Sequence, residues 1–269
     1  MKIISLNINQ FVGKENWKER NNNLETIRNQ NMSEVINFLI KNICEKDDIV
    51  ILHEVPYKND KNKQYNEVFQ NFKTQLEEKK MVLIPPNYLY RCRPKFISCA
   101  IIGKESNWIV KENKDYVCSN TGDGYVLYNR AVELYNNNKN IHLLGVHIPM
   151  IKGNSYSGSV MWDDIINYYK KMFNQNLIII GDMNVYSENT IQKRKFNELI
   201  GLGAMDAWSS SGNSPKKATY ATKNCEESRL DYALMSLTAF LLLKEIAIDD
   251  NPRTNNTFFT DHSSINLLL

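Results

Sequence analysis

Short apolar runs that end in polar residues recur along this chain and limit what it can fold into. The run from Leu177 to Ile180 stops at Gly181 and delivers Asp182 and Asn184 together. Runs at Ile3 to Ile8 and Ile49 to Leu52 finish in the same way, with Asn7 and Asn9 in the first and His53 and Glu54 in the second. A further run, Ile141 to Ile148, carries His147 near its end, and Thr260, Asp261 and His262 precede the apolar C-terminal tail. Such runs read as buried strands. A buried strand has no packing use for a carboxylate or an amide at its tip, so strands that converge with polar tips are how a sheet builds a site.

With 269 residues and 42% hydrophobic content, the chain can bury a full core. The length fits one large α/β domain or two small ones. No repeat, linker or composition shift divides the chain, so a single domain over residues 1–269 is expected. A net charge of +3 and a pI near 8.4 are too mild to imply nucleic acid and leave the partner open. The five cysteines form no C-x-x-C pair and no zinc-site spacing, which reads as ordinary thiols in a reducing compartment. The N-terminus reaches Asn7 too soon for a signal-peptide core, and no window approaches the ~18 apolar residues of a membrane span. A cytoplasmic protein, monomeric by default, is the expectation unless a leader was removed.

Periodicity predicts strands at 2–8, 48–54, 81–84, 88–92, 97–102, 108–111, 125–135 and 141–148. It predicts helices at 32–44, 64–80, 159–173 and 190–200, the first capped by Asn31. After the Leu177 strand, further strands are expected at 218–221, 230–236, 240–248 and 264–269. Many strands in mixed order with few helices suggest two stacked sheets with helices outside.

The strand tips decide the chemistry. Glu54, Asp182, Asp231 and Asp261 supply carboxylates, and Asn7, Asn9 and Asn184 supply neutral amides. An oxygen-rich set without cysteine favours a hard cation, Mg2+ first and Mn2+ or Ca2+ next, over zinc. One Asp or Asn at a strand end is usually a turn residue or helix cap; their recurrence weakens that explanation. Of the four histidines, His53 and His142 read as surface or satisfied core residues. His142 and His147 point to opposite faces of one strand, so both cannot serve one site without a bulge.

The ordered segments LNIN (Leu6 to Asn9), HEV (His53 to Val55), GVHIP (Gly145 to Pro149), GDMN (Gly181 to Asn184), RLDYALMS (Arg229 to Ser236) and TDHSSINL (Thr260 to Leu267) resemble the endonuclease/exonuclease/phosphatase superfamily. That superfamily includes DNase I, exonuclease III and neutral sphingomyelinases. The resemblance implies an α/β fold, a four-layer α/β/β/α sandwich of two mixed β-sheets flanked by helices. It also implies a phosphoric ester hydrolase. Asn7 and Glu54 match the metal-binding positions, and Asp261 would complete the metal side or hold a second ion. Asp182 matches the residue that orients or deprotonates the attacking water, and Asn184 the amide that steadies the phosphate. His262 matches the histidine that contacts phosphoryl oxygens, with Asp231 fixing its ring. His147 resembles the histidine that protonates or stabilises the leaving oxygen in the DNase I and sphingomyelinase branches.

Departures bear on the substrate. His53 stands where the family usually has glutamine, Thr260 where serine is common, and GVHIP lacks the tyrosine of exonuclease III-like abasic-site enzymes. Clusters at Lys193 to Lys195, at Lys216 and Lys217, and at Arg91, Arg93 and Lys95 are candidates for tracking a phosphate backbone, against the ordinary reading of a solvated surface. Asn9, Arg130 and Tyr128 are candidate substrate contacts, whereas Trp208 is expected in the core. A nuclease acting on DNA or RNA leads. The alternatives are a phosphatase or phospholipase-like phosphodiesterase acting on an inositol phosphate, nucleotide or lipid head group, and a catalytically silent binding module.

Overall fold

The computed structural model describes residues 1–13, 24–57, 63–86, 95–111, 114–119, 127–150, 157–186, 190–221, 227–254 and 258–269. Strand β1 (Lys2–Asn7) passes through a 3-10 turn (Asn9–Phe11) towards helix α1 (Leu24–Asn42) and β2 (Ile49–Pro56). Helix α2 (Lys63–Glu78), β3 (Met81–Ile84) and β4 (Phe96–Gly103) follow. The middle of the chain contributes β5 (Trp108–Ile109), β6 (Ala131–Asn136), β7 (Ile141–His147), α3 (Ser157–Met172), β8 (Asn176–Asp182) and α4 (Ile191–Gly201). The last part runs β9 (Met205–Asp206), α5 (Ala207–Ser210), β10 (Tyr220–Ala221), β11 (Glu227–Ser228), β12 (Asp231–Met235), α6 (Leu237–Phe240), β13 (Glu245–Asp249), α7 (Asn251–Thr254) and β14 (Ser264–Leu268).

Two six-stranded mixed sheets result, ordered β13-β14-β1-β2-β4-β3 and β5-β6-β7-β8-β12-β9. Alternation along each strand divides its side chains between two layers. Ile4 and Leu6 of β1, with Val50 and Leu52 of β2, pack against Met32, Val35 and Leu39 of α1 and Phe72 of α2. Leu177 and Ile179 of β8 and Leu144 and Val146 of β7 pack against α3 and α4. The intervening residues Ile3, Ile49, Ile51, Ile178, Ile180, Leu143 and Ala233 meet between the sheets. Three apolar layers therefore separate helix, sheet, sheet and helix, which is the four-layer α/β sandwich expected.

Gly145 is required where β7 packs on β2, because a Cβ there would stand 2.5 Å from Ile51 Cγ2. Gly181 is required more strictly. Its φ is +148°, and a Cβ would meet the Val146 carbonyl oxygen at 1.9 Å and His53 Nε2 at 2.7 Å.

Several local expectations are corrected. Asn31 does not cap α1; the helix begins at Leu24, and Asn31 lies buried within it, donating from Nδ2 to the Phe11 carbonyl at 2.9 Å. The strand placed at 125–135 starts at Ala131, and the one placed at 240–248 starts at Glu245. In the second case Ser236 accepts a hydrogen bond from the Ala239 amide and caps α6, taking the first leucines out of the strand. Trp208 sits on one-turn α5, half-buried, with its indole N–H donated to the Ser214 carbonyl, so it is not a core residue. The strand expected at 88–92 and the residues Arg91, Arg93, Cys92 and Cys225 lie outside the described residues. Among the described residues, Cys44, Cys99 and Cys118 form no disulfide, and no helix is long and apolar enough to cross a membrane.

Candidate active site

The inter-sheet face changes character along its length. In β1 the inward positions run Ile3, Ser5, Asn7; in β2 they run Ile49, Ile51, His53; in β8 they run Ile178, Ile180, Asp182; in β12, Met235, Ala233, Asp231. Parallel pairing sets Asn7 beside His53 and His147 beside Asp182, while antiparallel pairing sets Asp231 opposite Asp182. One end of an apolar layer thus becomes polar, because β1, β2 and β8 finish there and β12 starts there.

Asp182 is the centre of this end. Its Oδ2 accepts from Asn7 Nδ2 at 3.0 Å and its Oδ1 from the Asn184 amide at 3.1 Å. Asn184 turns through a left-handed φ of 52° and donates its own side-chain N–H to the Ile148 carbonyl at 2.8 Å, fixing the loop after β8 to that after β7. Burial first, then the charge of Asp231, push the Asp182 carboxyl up to about 7, against the opposing pull of His262 and the Asn7 donor. Across the strand pair His262 Nδ1 donates to Asp231 Oδ2 at 2.9 Å, and the Tyr220 ring lies 4.9 Å from the His262 ring. Burial opposes charge on His262, but the Asp231 carboxylate and its hydrogen bond, with help from Asp261 and Asp182, outweigh it and raise its pKa to about 10. At neutral pH His262 is an imidazolium.

Glu54 reaches the site by a break in the strand rule. The β2–β4 register shifts between Leu52 and Val55, and Glu54 occupies this bulge with φ 57°. A non-glycine residue held there costs about 1–3 kcal/mol, and bulges re-aim side chains. Gln10, itself at φ 54° in the turn after β1, donates from Nε2 to Glu54 Oε2 at 3.0 Å. Beneath Glu54, His53 is buried and bridges Ser5 Oγ at 3.1 Å and Ser98 Oγ at 2.9 Å, a satisfied core histidine. His142 contacts Tyr135 away from the site.

Asp261 presents Oδ1, a buried oxygen with no hydrogen-bond partner among the described residues, 3.9 Å from His262 Nε2. An orphaned carboxylate oxygen near Glu54 and the Asn7 amide is a donor set that fits a hard divalent cation. Asp182, Asp231 and His262 also bring one ligand atom each within 4.8 Å of one another. That trio is the poorer metal site, because His262 Nδ1 is committed to Asp231 and its ring is cationic.

His147 stands between the acids, with Nε2 3.6 Å from both Glu54 Oε1 and Asp182 Oδ2. Its Nδ1 faces Arg130 Nη1 at 3.3 Å, and Phe96 stacks on the ring at 5.7 Å. Burial, reinforced by Arg130 and by His53 and His262, holds its pKa well below the usual histidine range, so the ring is neutral.

All ten predicted site residues, Asn7, Asn9, Glu54, Arg130, His147, Asp182, Asn184, Asp231, Asp261 and His262, converge on this end. Nine of them line one open cavity of about 620 Å³, and Asp231 lies behind His262. Asn9 also braces the first turn, donating from Nδ2 to the Gly13 carbonyl at 2.7 Å. Gln10, Phe96, Met150, Tyr186 and Tyr220 were not foreseen. Only Gln10 carried a signal, as a polar residue directly after LNIN. Tyr128 is half-buried and does not line the cavity. Of the basic clusters, Lys195 is paired with Asp163 and Glu198, Lys217 with Asp250, and Lys193 lies over the Phe196 ring.

The four-layer fold is shared with solved structures at 14–15% sequence identity. Similar solved structures include an AP endonuclease from Archaeoglobus fulgidus (15% identity, TM-score 0.70, covering 100% of this chain and 99% of that one). A 3'-5' exonuclease, NExo, from Neisseria meningitidis aligns at 14% identity and TM-score 0.69 with the same coverage. A humanized D. rerio TDP2 aligns at 14% identity and TM-score 0.66, covering 99% of this chain and 97% of that one. No protein-family model and no curated protein matches the chain at the level of sequence.

Proposed function

We propose that this chain is a divalent-metal-dependent phosphodiesterase, and specifically a nuclease that hydrolyses DNA or RNA by attack of water on phosphorus. The observation that carries the reading is the strand register that sets Asp231 opposite Asp182, a carboxyl poised near neutrality, while the same Asp231 holds the His262 imidazolium charged. Asp182 accepts the proton of water, and His262 neutralises charge growing on the phosphoryl oxygens. Asn184 fixes the loop that follows Asp182, and the neutral His147 donates a hydrogen bond from Nε2. Glu54, Asp261 and the Asn7 carbonyl would hold Mg2+ or Mn2+, which neutralises phosphate charge when bound.

Nucleic acid as the substrate is supported by the neighbours in fold, an AP endonuclease, a 3'-5' exonuclease and a 3' phosphatase, NExo, bound to a product DNA hairpin. A smaller phosphate ester is a second reading, favoured by the apolar side chains Phe96, Met150, Tyr186 and Leu230 in the cavity wall. A silent binding module is disfavoured by the complete set of acids and histidines. Plasmid, single-stranded DNA, RNA and bis(p-nitrophenyl) phosphate, incubated with and without Mg2+, test the reading. Metal-dependent cleavage of a polynucleotide that disappears in Glu54→Ala and Asp182→Ala is expected. Turnover of the small ester alone would move the assignment to the second reading, and full activity in either folded variant would remove it.

A further inference from the structure

We infer that Arg130 is a positioning residue that holds His147 in a single tautomer, with a bare Nδ1 and the proton on Nε2, so that the ring offers the cleft a fixed hydrogen-bond donor. The chemistry of the two partners compels this orientation. A guanidinium can only donate, so the Nδ1 that faces Arg130 Nη1 at 3.3 Å must accept. The opposite nitrogen faces two acceptors, Glu54 Oε1 and Asp182 Oδ2, each at 3.6 Å, where a proton is welcome.

The ring is also held in place. The His147 amide donates to the Arg130 carbonyl at 2.8 Å, and Arg130 Nη1 reaches back to the His147 carbonyl at 3.5 Å. Phe96 lies against both, 5.7 Å from the imidazole at an interplanar angle of 29° and 4.9 Å under the guanidinium. Arg130 therefore acts on His147 from the cavity wall. Resting on the phosphodiesterase reading, the donor is aimed at an ester oxygen, and His147 neither takes the proton of the attacking water nor ligates a cation through Nε2.

The tautomer can be read without turnover. Long-range 1H–15N correlation of the imidazole in the 15N-labelled wild-type protein, with signals assigned by their loss in His147→Gln, is expected to show a neutral ring protonated at Nε2. A ring protonated at Nδ1, or at both nitrogens, would overturn the inference. Arg130→Met keeps the contact with Phe96 and removes the donors; it is expected to populate the Nδ1–H form and to lower kcat about tenfold or more with little change in KM. An unchanged tautomer in that variant would also overturn it. Should Arg130→Met fail to fold, Arg130→Lys, which returns one donor, is expected to keep the wild-type pattern. A wild-type protein with the expected tautomer but no hydrolysis would count against the function proposed above and leave this assignment standing.

Discussion

Asp231 Oδ2 accepts from His262 Nδ1 at 2.9 Å while Asp231 itself stands in register opposite Asp182. One carboxylate therefore raises two pKa values, adding by repulsion to the burial that lifts Asp182 and lifting His262 against burial by attraction. The acid–base asymmetry of the site is built into a strand pairing.

That pairing predicts an alkaline stability window. The folded His262 pKa of about 10 lies above the ordinary 6.5, so its contribution is complete below pH 6.5 and is lost as pH rises through 10. Unfolding free energies from urea melts between pH 6.5 and 10 should fall, with a slope of up to about 1.4 kcal/mol per pH unit from this group. In Asp231→Asn the slope should flatten and hydrolysis should drop at least about a hundredfold. An unchanged slope in the variant would separate the stability from this pair.

His53 predicts the opposite window. Burial lowers its pKa to about 3, so its contribution is present above pH 6.5 and lost as pH falls towards 3. Acid titration of the unfolding free energy should be shallower for His53→Gln than for the wild type. His53→Ala should cost about 2–4 kcal/mol at pH 7, because the Ser5 and Ser98 hydroxyls lose their partner. An equally steep acid limb in His53→Gln would assign it to other groups.

Metal binding distinguishes the two candidate donor sets. Calorimetric titration with Mn2+ should lose its heat in Glu54→Ala and weaken at least about tenfold in Asp261→Ala. Asp231→Asn should bind nearly as tightly as the wild type. The reverse ranking would shift the cation to Asp182, Asp231 and His262.

Gly181 is predicted to be irreplaceable. Gly181→Ala drives a Cβ into the Val146 carbonyl at 1.9 Å and should cost more than about 4 kcal/mol or prevent folding. Gly212→Ala shares a positive φ, +83°, but meets nothing within 4 Å, and should cost only about 1–2 kcal/mol in a thermal melt.

Strands and their polar tips were legible because alternation, apolar runs and a terminal glycine are local properties, and β1, β2, β7 and β8 follow them. Glu54 was legible as a residue but not as a geometry; a bulge with a left-handed φ leaves no mark in HEV. The start of α1 at Leu24 was hidden because Asn31 resembles a cap, while its amide serves the Phe11 carbonyl from within the helix. Phe96 and Tyr220 reach the site through tertiary proximity alone. Arg130 was visible as a charge, but its role beside His147 depends on a cross-strand contact that no spacing encodes.

The central claim is that water, deprotonated at Asp182, attacks phosphorus. Cleavage of a phosphodiester in 18O-labelled water with Mg2+, followed by mass analysis of both products, tests it most directly. The expected result is one 18O on the phosphate product and none on the departing alcohol, with turnover abolished in Asp182→Asn. Label on the alcohol, or undiminished turnover in folded Asp182→Asn, would contradict it.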